Sequence, residues 1–216
     1  MGYYYADREL FEGIVSETGA GNHRHPLTFI LEAADDIAYK TADIEDAFVK
    51  RFLTYHSLRD ELRKLQNREK KYADPEEKDQ NGFCPADKLV ELYERAKKNG
   101  VDDPGDYAVK NWIVKAQGFL IGCATSGFTS HYEEIMEGTY KKDLFAGTLA
   151  EGLVKLLGEI ACKCVFKTET IYRMEVKEAV MLDNLLDRFV GAAIKYDDPT
   201  QKLNSIEERL ISFISN

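Results

Sequence analysis

The sequence predicts an all-α fold, a bundle of many helices. Three observations predict it. Apolar residues recur at helical three-to-four spacing through most of the 216 residues. Helix start and stop signals punctuate those runs. No stretch shows the strict alternation of a half-buried strand.

The elements follow in order. Residues 3–18 form a first amphipathic helix with Leu10, Phe11, Ile14 and Val15 on one side, broken by Gly19 to Asn22. The Gly19-Ala20-Gly21 string is too short and wrongly placed for a phosphate-binding loop. Pro26 suits the first turn of a long helix over 27–51, and a continuation through a kink covers 52–66. Residues 67–85 are polar, with Pro75, Gly82 and Pro85, and read as a loop. A helix over 86–98 stops at Asn99-Gly100. Asp102-Asp103-Pro104 opens the next, over 106–124, and further helices cover 130–138, 148–165, 170–196 and 200–215. Trp112, Phe119 and Phe128 belong to the core. The domain expectation is therefore 1–66, a polar loop at 67–85, and a helical domain over 86–216.

Composition narrows the function classes. Charged residues make 31% and hydrophobic residues 44%, an ordinary soluble balance. The net charge of −9 argues against a surface that coats nucleic acid, a local basic patch aside. No run has the length of a membrane span, so no membrane partner is expected, and Asp7, Glu9 and Glu12 interrupt any signal-peptide pattern. The four cysteines (Cys84, Cys123, Cys162, Cys164) are too irregular for a disulfide framework, and Cys162-Lys163-Cys164 is not a zinc motif. Reduced thiols and a cytoplasmic location are the expectation.

The string from His25 to Asp46 carries most of the chemistry. Four acids fall between Glu32 and Asp43, with Glu45 and Asp46 following. On a helix, Leu27, Ile30, Leu31, Ala34, Ile37, Ala38, Thr41, Ile44 and Phe48 form one apolar stripe. Asp35 stands at its edge, about 100° from its centre, and Tyr39 and Asp43 follow on the same flank with Glu32 and Asp46 beside them. Like charges at i,i+4 repel, so such a flank calls for a compensating cation: a metal ion, a cluster of Arg or Lys, or solvent alone.

The wording of this segment, Arg24-His25-Pro26, then Glu32-Ala33-Ala34-Asp35-Asp36-Ile37-Ala38-Tyr39, then Asp43-Ile44-Glu45-Asp46, resembles the third conserved block of the deoxyguanosine triphosphate triphosphohydrolases, members of the HD-domain phosphohydrolase superfamily. The match covers about residues 3–52. The resemblance implies that Asp35 is the last metal ligand of an HD site, for Mn or Mg, and that Tyr39 and Asp43 lie at the deoxynucleotide, the Tyr against the sugar. An HD site also needs an early His and an adjacent His-Asp pair. The four histidines here, His23, His25, His56 and His131, are followed by Arg, Pro, Ser and Tyr, and no His-Asp dipeptide occurs. The chain is therefore expected to be the carboxyl-terminal part of such an enzyme. Residues 1–66 would be the last helices of the catalytic core. One ligand does not hold a divalent ion tightly, so little or no activity is expected from this chain alone.

For the parent enzyme the resemblance implies metal-dependent hydrolysis of dGTP to deoxyguanosine and triphosphate, homo-oligomers, and in some members a response to single-stranded DNA. The segment Ile171-Tyr172-Arg173-Met174-Glu175 to Leu185-Leu186-Asp187-Arg188-Phe189 resembles the family's helix beside the nucleotide pocket more loosely. It offers Glu175 at the guanine edge, although Glu178 stands where the family often has Gly. The other reading of Glu175 is a solvated acid on an amphipathic helix. Arg24 is read either as a phosphate partner or, with His25, as ordering the loop, and Asp36 as a packing or supporting residue. His56 and His131 read as ordinary histidines. Asp102 to Asp106 lacks the spacing of a calcium loop. Two alternatives stand beside the dGTP reading: a hydrolase of broader deoxynucleotide specificity, and a non-catalytic helical interaction module derived from the family.

Overall fold

The computed structural model describes residues 3–21, 23–68, 83–166 and 169–214, with no strand among them. The fold is all-α. Its helices are α1 (Arg8–Thr18), α2 (Pro26–Val49), α3 (Tyr55–Arg68), α4 (Pro85–Lys98), α5 (Pro104–Ser130), α6 (Tyr132–Met136), α7 (Glu151–Ala161), α8 (Glu169–Asp197) and α9 (Ser205–Ile214). A 3₁₀ turn, Tyr5–Asp7, precedes α1, and a π-helical turn, Cys162–Phe166, follows α7. The chain divides into two units, Met1–Val165 and Phe166–Asn216. Most of the expected loop at 67–85, including Pro75 and Gly82, lies outside the described residues.

In the first unit α5 is the central helix, packed against α4 and α2, while α7 covers another part of α2. Trp112 is fully buried and its indole N–H donates to the Pro85 carbonyl at 2.8 Å, which satisfies the one polar group of the largest core side chain. Gln117 on α5 donates to the Thr41 hydroxyl on α2 at 2.9 Å, and that hydroxyl donates to the Ile37 carbonyl at 2.7 Å. This bridge ties α2 to α5 through a buried threonine. At Gly127 the helix meets the Leu144 backbone so closely that a Cβ would stand 2.0 Å from the Leu144 carbonyl oxygen.

Helix ends follow local chemistry. Pro26, Pro85 and Pro104 each open a helix, where their missing N–H costs nothing. Asp103 caps α5 by accepting from the Asp106 N–H at 2.9 Å. After α4, Gly100 takes φ 69° and the N–H groups of Gly100 and Val101 return to the carbonyls of Lys97 and Ala96, the Schellman closure expected of Asn99-Gly100. The expected continuation of the long helix over 52–66 is corrected: α2 stops at Val49, Arg51 turns left-handed at φ 61°, and α3 starts afresh at Tyr55. Thr54 and Ser57 make that start, each side chain accepting the other's backbone N–H at 3.1 and 2.9 Å. The helix expected over 106–124 runs on to Ser130, because Cys123, Ala124 and Gly127 carry its buried face another turn. The last helix begins at Ser205 rather than 200. Asn204 Oδ1 accepts from the N–H groups of Ile206 and Glu207, and Glu207 accepts from the Asn204 N–H.

The second unit is the hairpin of α8 and α9. Its turn is held by Asp198, which accepts from the backbone and hydroxyl of Thr200 and from the Gln201 side chain. Lys195 pairs with Glu207 at 2.5 Å across the hairpin. No described helix is long and apolar enough to cross a membrane.

Candidate functional site

The buried face of α2 consists of Thr28, Phe29, Ala33, Ile37, Thr41, Ile44 and Ala47. This corrects part of the expected apolar stripe. Ile37, Thr41 and Ile44 are buried, but Leu27, Ile30 and Leu31 are exposed at 64, 47 and 55%, and Ala34 and Ala38 are exposed with them. The reason is that α2 carries two apolar stripes. One runs through 29, 33, 37, 41 and 44 and packs on α5 and α7. The other runs through 27, 30, 31, 34 and 38, roughly 110° round the helix. Phe29 and Ala33, apolar residues outside the expected stripe, were the sequence signal for the buried one.

Asp35, Tyr39 and Asp43 lie on the side of α2 turned away from its buried face. Asp35 is exposed, Tyr39 is 70% exposed, and Asp43 is half-buried. They succeed each other by one helical turn, about 6 Å of rise each, so the three side chains line one edge. Other acids of the segment find cations within the chain. Asp36 pairs with Lys40, whose stem runs inward beside Gly158 on α7. Glu32 pairs with Arg24, and Asp46 with Lys50 at 2.8 Å. No described Lys or Arg pairs with Asp35, Asp43 or Glu45. The compensating-cation question raised by the sequence therefore divides: lysine or arginine answers it for Glu32, Asp36 and Asp46.

The approach to α2 is ordered by the residues just before it. His25 Nδ1 accepts from the Leu27 N–H at 3.2 Å and so caps the helix. The Arg24 guanidinium stands 4.1 Å over the Phe29 ring while pairing with Glu32. Phe29 in turn meets Tyr140, whose ring stacks on His131 at 4.5 Å. Burial pushes the Tyr140 phenol up, Asp143 and Glu134 adding to the effect. It stays protonated at neutral pH and donates to the Asp143 carbonyl at 2.9 Å. His23 fills the space beside Gly138, at φ 74°, where a Cβ would stand 2.6 Å from its ring. These contacts fix the base of α2 and hence the direction of its acidic edge.

Between α1 and the exposed stripe of α2 lies an open groove of about 1180 Å³. Phe11 and Ile14 line one wall and Leu27, Ile30 and Leu31 the other, with Glu32 at its edge. Glu175 is exposed on α8, in the second unit. Among the described residues no three His, Cys, Asp or Glu side chains gather as a metal site. A lone carboxylate without a cation is a hard oxygen donor suited to Mn or Mg, and it fits such an ion as one ligand of several.

Three of the similar relatives among known proteins bear one name. The chain is 30% identical over 218 residues to a protein named deoxyguanosinetriphosphate triphosphohydrolase-like from Listeria monocytogenes, a match covering all of this chain and 44% of the relative. The likeness to the protein of the same name from Listeria innocua has the same extent. A Synechocystis protein of that name is 25% identical over 211 residues, covering 94% of this chain and 42% of the relative. The chain thus spans less than half the length of the curated relatives it matches. No family model matches it.

Proposed function

The chain belongs to the deoxyguanosinetriphosphate triphosphohydrolase-like family, and on that premise we propose that it forms part of a metal-dependent hydrolase of deoxynucleoside triphosphates, dGTP first among them. The observation that carries the reading is the edge of α2, where Asp35, Tyr39 and Asp43 follow one another at successive turns and neither acid pairs with a described Lys or Arg, whereas Glu32, Asp36 and Asp46 do. Asp35 supplies one carboxylate ligand to a divalent ion, Mn or Mg, whose other ligands come from outside these residues. When bound, that ion supplies Lewis-acid charge neutralisation at the phosphates. Tyr39, exposed one turn on, offers a flat ring to the deoxyribose. Asp43, another turn on, accepts hydrogen bonds from the sugar or from phosphate-bound water. Arg24 reaches a phosphate oxygen by exchanging it for the Glu32 carboxylate, the same fork-like pairing. Glu175 accepts from the N1–H and amino group of guanine. We further propose a cytoplasmic homo-oligomer responsive to single-stranded DNA, as the family resemblance implies.

The test is a chimera in which this chain replaces the matched stretch of the L. monocytogenes relative. Triphosphate release from dGTP is measured with Mn²⁺ or Mg²⁺. The expected result is turnover by the chimera, none by the 216-residue chain alone, and loss of at least about 100-fold on Asp35→Ala, in the range seen when a charge-stabilising group is removed. Wild-type turnover in Asp35→Ala overturns the ligand assignment. A folded but inactive chimera beside an active relative favours the non-catalytic module. Equal rates with other deoxynucleoside triphosphates favour the broader hydrolase.

A further inference from the structure

We propose that His25 is a proton-sensitive latch on α2: neutral, it caps the helix and holds Arg24 in place, and protonated, it releases both. The residues that open the helix lead there. Pro26 brings no N–H to the first turn. The two N–H groups that follow both end on His25: Thr28 donates to its carbonyl at 2.8 Å and Leu27 to its Nδ1 at 3.2 Å. Leu27 lies too early in the helix for a carbonyl of its own, so its N–H depends on the imidazole.

The usual capping residues, Ser, Thr, Asp and Asn, accept throughout the neutral range. An imidazole accepts only through a bare ring nitrogen. Once it is protonated, both ring nitrogens are donors, and Nδ1 meets the Leu27 N–H with a proton of its own. The imidazolium also stands at the end of the helix where the dipole repels a cation. Histidine is the side chain that changes charge between about pH 5 and 8. His25 is half-buried and lines the open groove, so solvent protons reach it. The bond is therefore complete on the alkaline side of that range and is lost as pH falls through it.

Release travels one residue back along the chain. The Arg24 guanidinium lies over Phe29 and on Glu32, both on α2, so its place depends on how the chain enters the helix. The other charged groups nearby are few. His23 and Arg24 precede the cap, and Glu32 is engaged by Arg24. α1 faces the groove with Phe11, Ile14, Val15 and Thr18, none of them charged. Beyond Phe29 and Tyr140 come His131, which pairs with Glu134 at 3.3 Å, and Asp143. The latch stands apart from the proposed hydrolysis; its effect on a phosphate held by Arg24 rests on that reading.

The test is nitrogen-15 NMR of the 216-residue chain at about pH 8 and about pH 5.5, either side of the histidine range. On the alkaline side His25 Nδ1 should resonate as a bare nitrogen. Acidification should cut the protection of the Leu27 amide, corrected for intrinsic exchange, about 5-fold, the loss of one cap. The amide of Ile44, at a fully buried position of the same helix, should keep its protection. The Arg24 Nε–H signal, shifted by the Phe29 ring while the cap is closed, should move toward its free value over the same range. His25→Asn keeps an acceptor that does not titrate. It should hold the Leu27 protection within about 2-fold between the two conditions and leave Arg24 unmoved. His25→Ala should show the low protection in both. A protonated Nδ1 on the alkaline side, or Leu27 protection that survives acidification, would overturn the latch. So would a loss that persists in His25→Asn, which would assign the titration to His23, His131 or Glu32. An Arg24 signal that ignores the loss of the cap would overturn the coupling between them. None of these readouts needs turnover, so failure of the hydrolase reading and failure of the latch leave different signatures.

Discussion

α2 and α8 are both long, acid-rich helices with apolar residues on more than one side, yet the chain uses them differently. α2 buries seven residues against its neighbours. Along α8 the buried side chain among those described is Ala192, while Met174, Val176, Val180, Met181, Leu182, Leu185 and Leu186 are each at least half exposed. Directional chemistry belongs on the helix whose rotation is fixed by packing. Packing on one face of α2 fixes its rotation, so Asp35, Tyr39 and Asp43 all leave the helix on one side. Glu175 on α8 has no comparable packed face beside it, and its direction is set by the hairpin alone.

The largest effect is expected on the packed side. Gly127→Ala places a methyl against the Leu144 carbonyl oxygen, both sides of the contact being backbone. Overpacking of this kind costs about 3 kcal/mol. Urea unfolding of the variant should show that loss; a midpoint equal to wild type would show that the α5 contact yields.

The same kind of truncation should then give opposite answers on the two helices. Ile44→Ala, at a fully buried site on α2, should cost about 2–5 kcal/mol. Leu182→Ala, 56% exposed on α8, should stay within about 0.5 kcal/mol, as surface substitutions do. Equal losses in denaturant unfolding would mean that α8 is packed in solution, and the contrast drawn here would fall.

These contrasts also explain what was legible in the sequence. Helix type and most boundaries were, because Pro at the first turn and Asn99-Gly100 at a last turn act through local sterics. The acidic edge was legible as well, since helical geometry alone puts Asp35, Tyr39 and Asp43 in register. The burial of α2 was not. Leu27, Ile30 and Leu31 are as apolar as Phe29 and Ile37, and periodicity ranks faces by composition without knowing which neighbour arrives. Only α5, α7 and Tyr140, distant in sequence, select the face that carries Phe29 and Ala33. The break at Arg51 was hidden for a related reason: a left-handed Arg has no sequence signature, although Thr54 and Ser57 marked the restart. Nor did the sequence show that Arg24 and Lys40 answer Glu32 and Asp36, which leaves Asp35, Asp43 and Glu45 without a described Lys or Arg.

A smaller effect belongs to the hairpin. Asn204 caps α9 through two backbone N–H groups at 2.9 and 3.0 Å, and Asn204→Ala should cost about 1 kcal/mol. With few buried contacts in this unit, the loss should appear as faster amide exchange confined to α9. Uniform destabilisation of the whole chain would show that the two units unfold together.

The smallest effect is in the pH response of the same hairpin. Hydrogen bonds from the Thr200 hydroxyl, Gln201 and the Thr200 N–H hold the Asp198 carboxyl below its ordinary range. Lys195, and then the Asn204 N–H, do the same for Glu207. A folded-state pKa below the unfolded one means that protonation favours unfolding. The contribution of both groups is therefore complete above the ordinary carboxylate range, about pH 4, and is lost as pH falls through the lowered folded values. Carbon-detected NMR titration of the two carboxyls should give midpoints below those of unstructured Asp and Glu. Lys195→Met should return the Glu207 midpoint toward its ordinary value and leave Asp198 unmoved, since the turn bonds do not involve Lys195. An ordinary Glu207 midpoint in the unsubstituted chain would mean that the pair across the hairpin is open in solution, and α8 would then lack even the tether that sets the direction of Glu175.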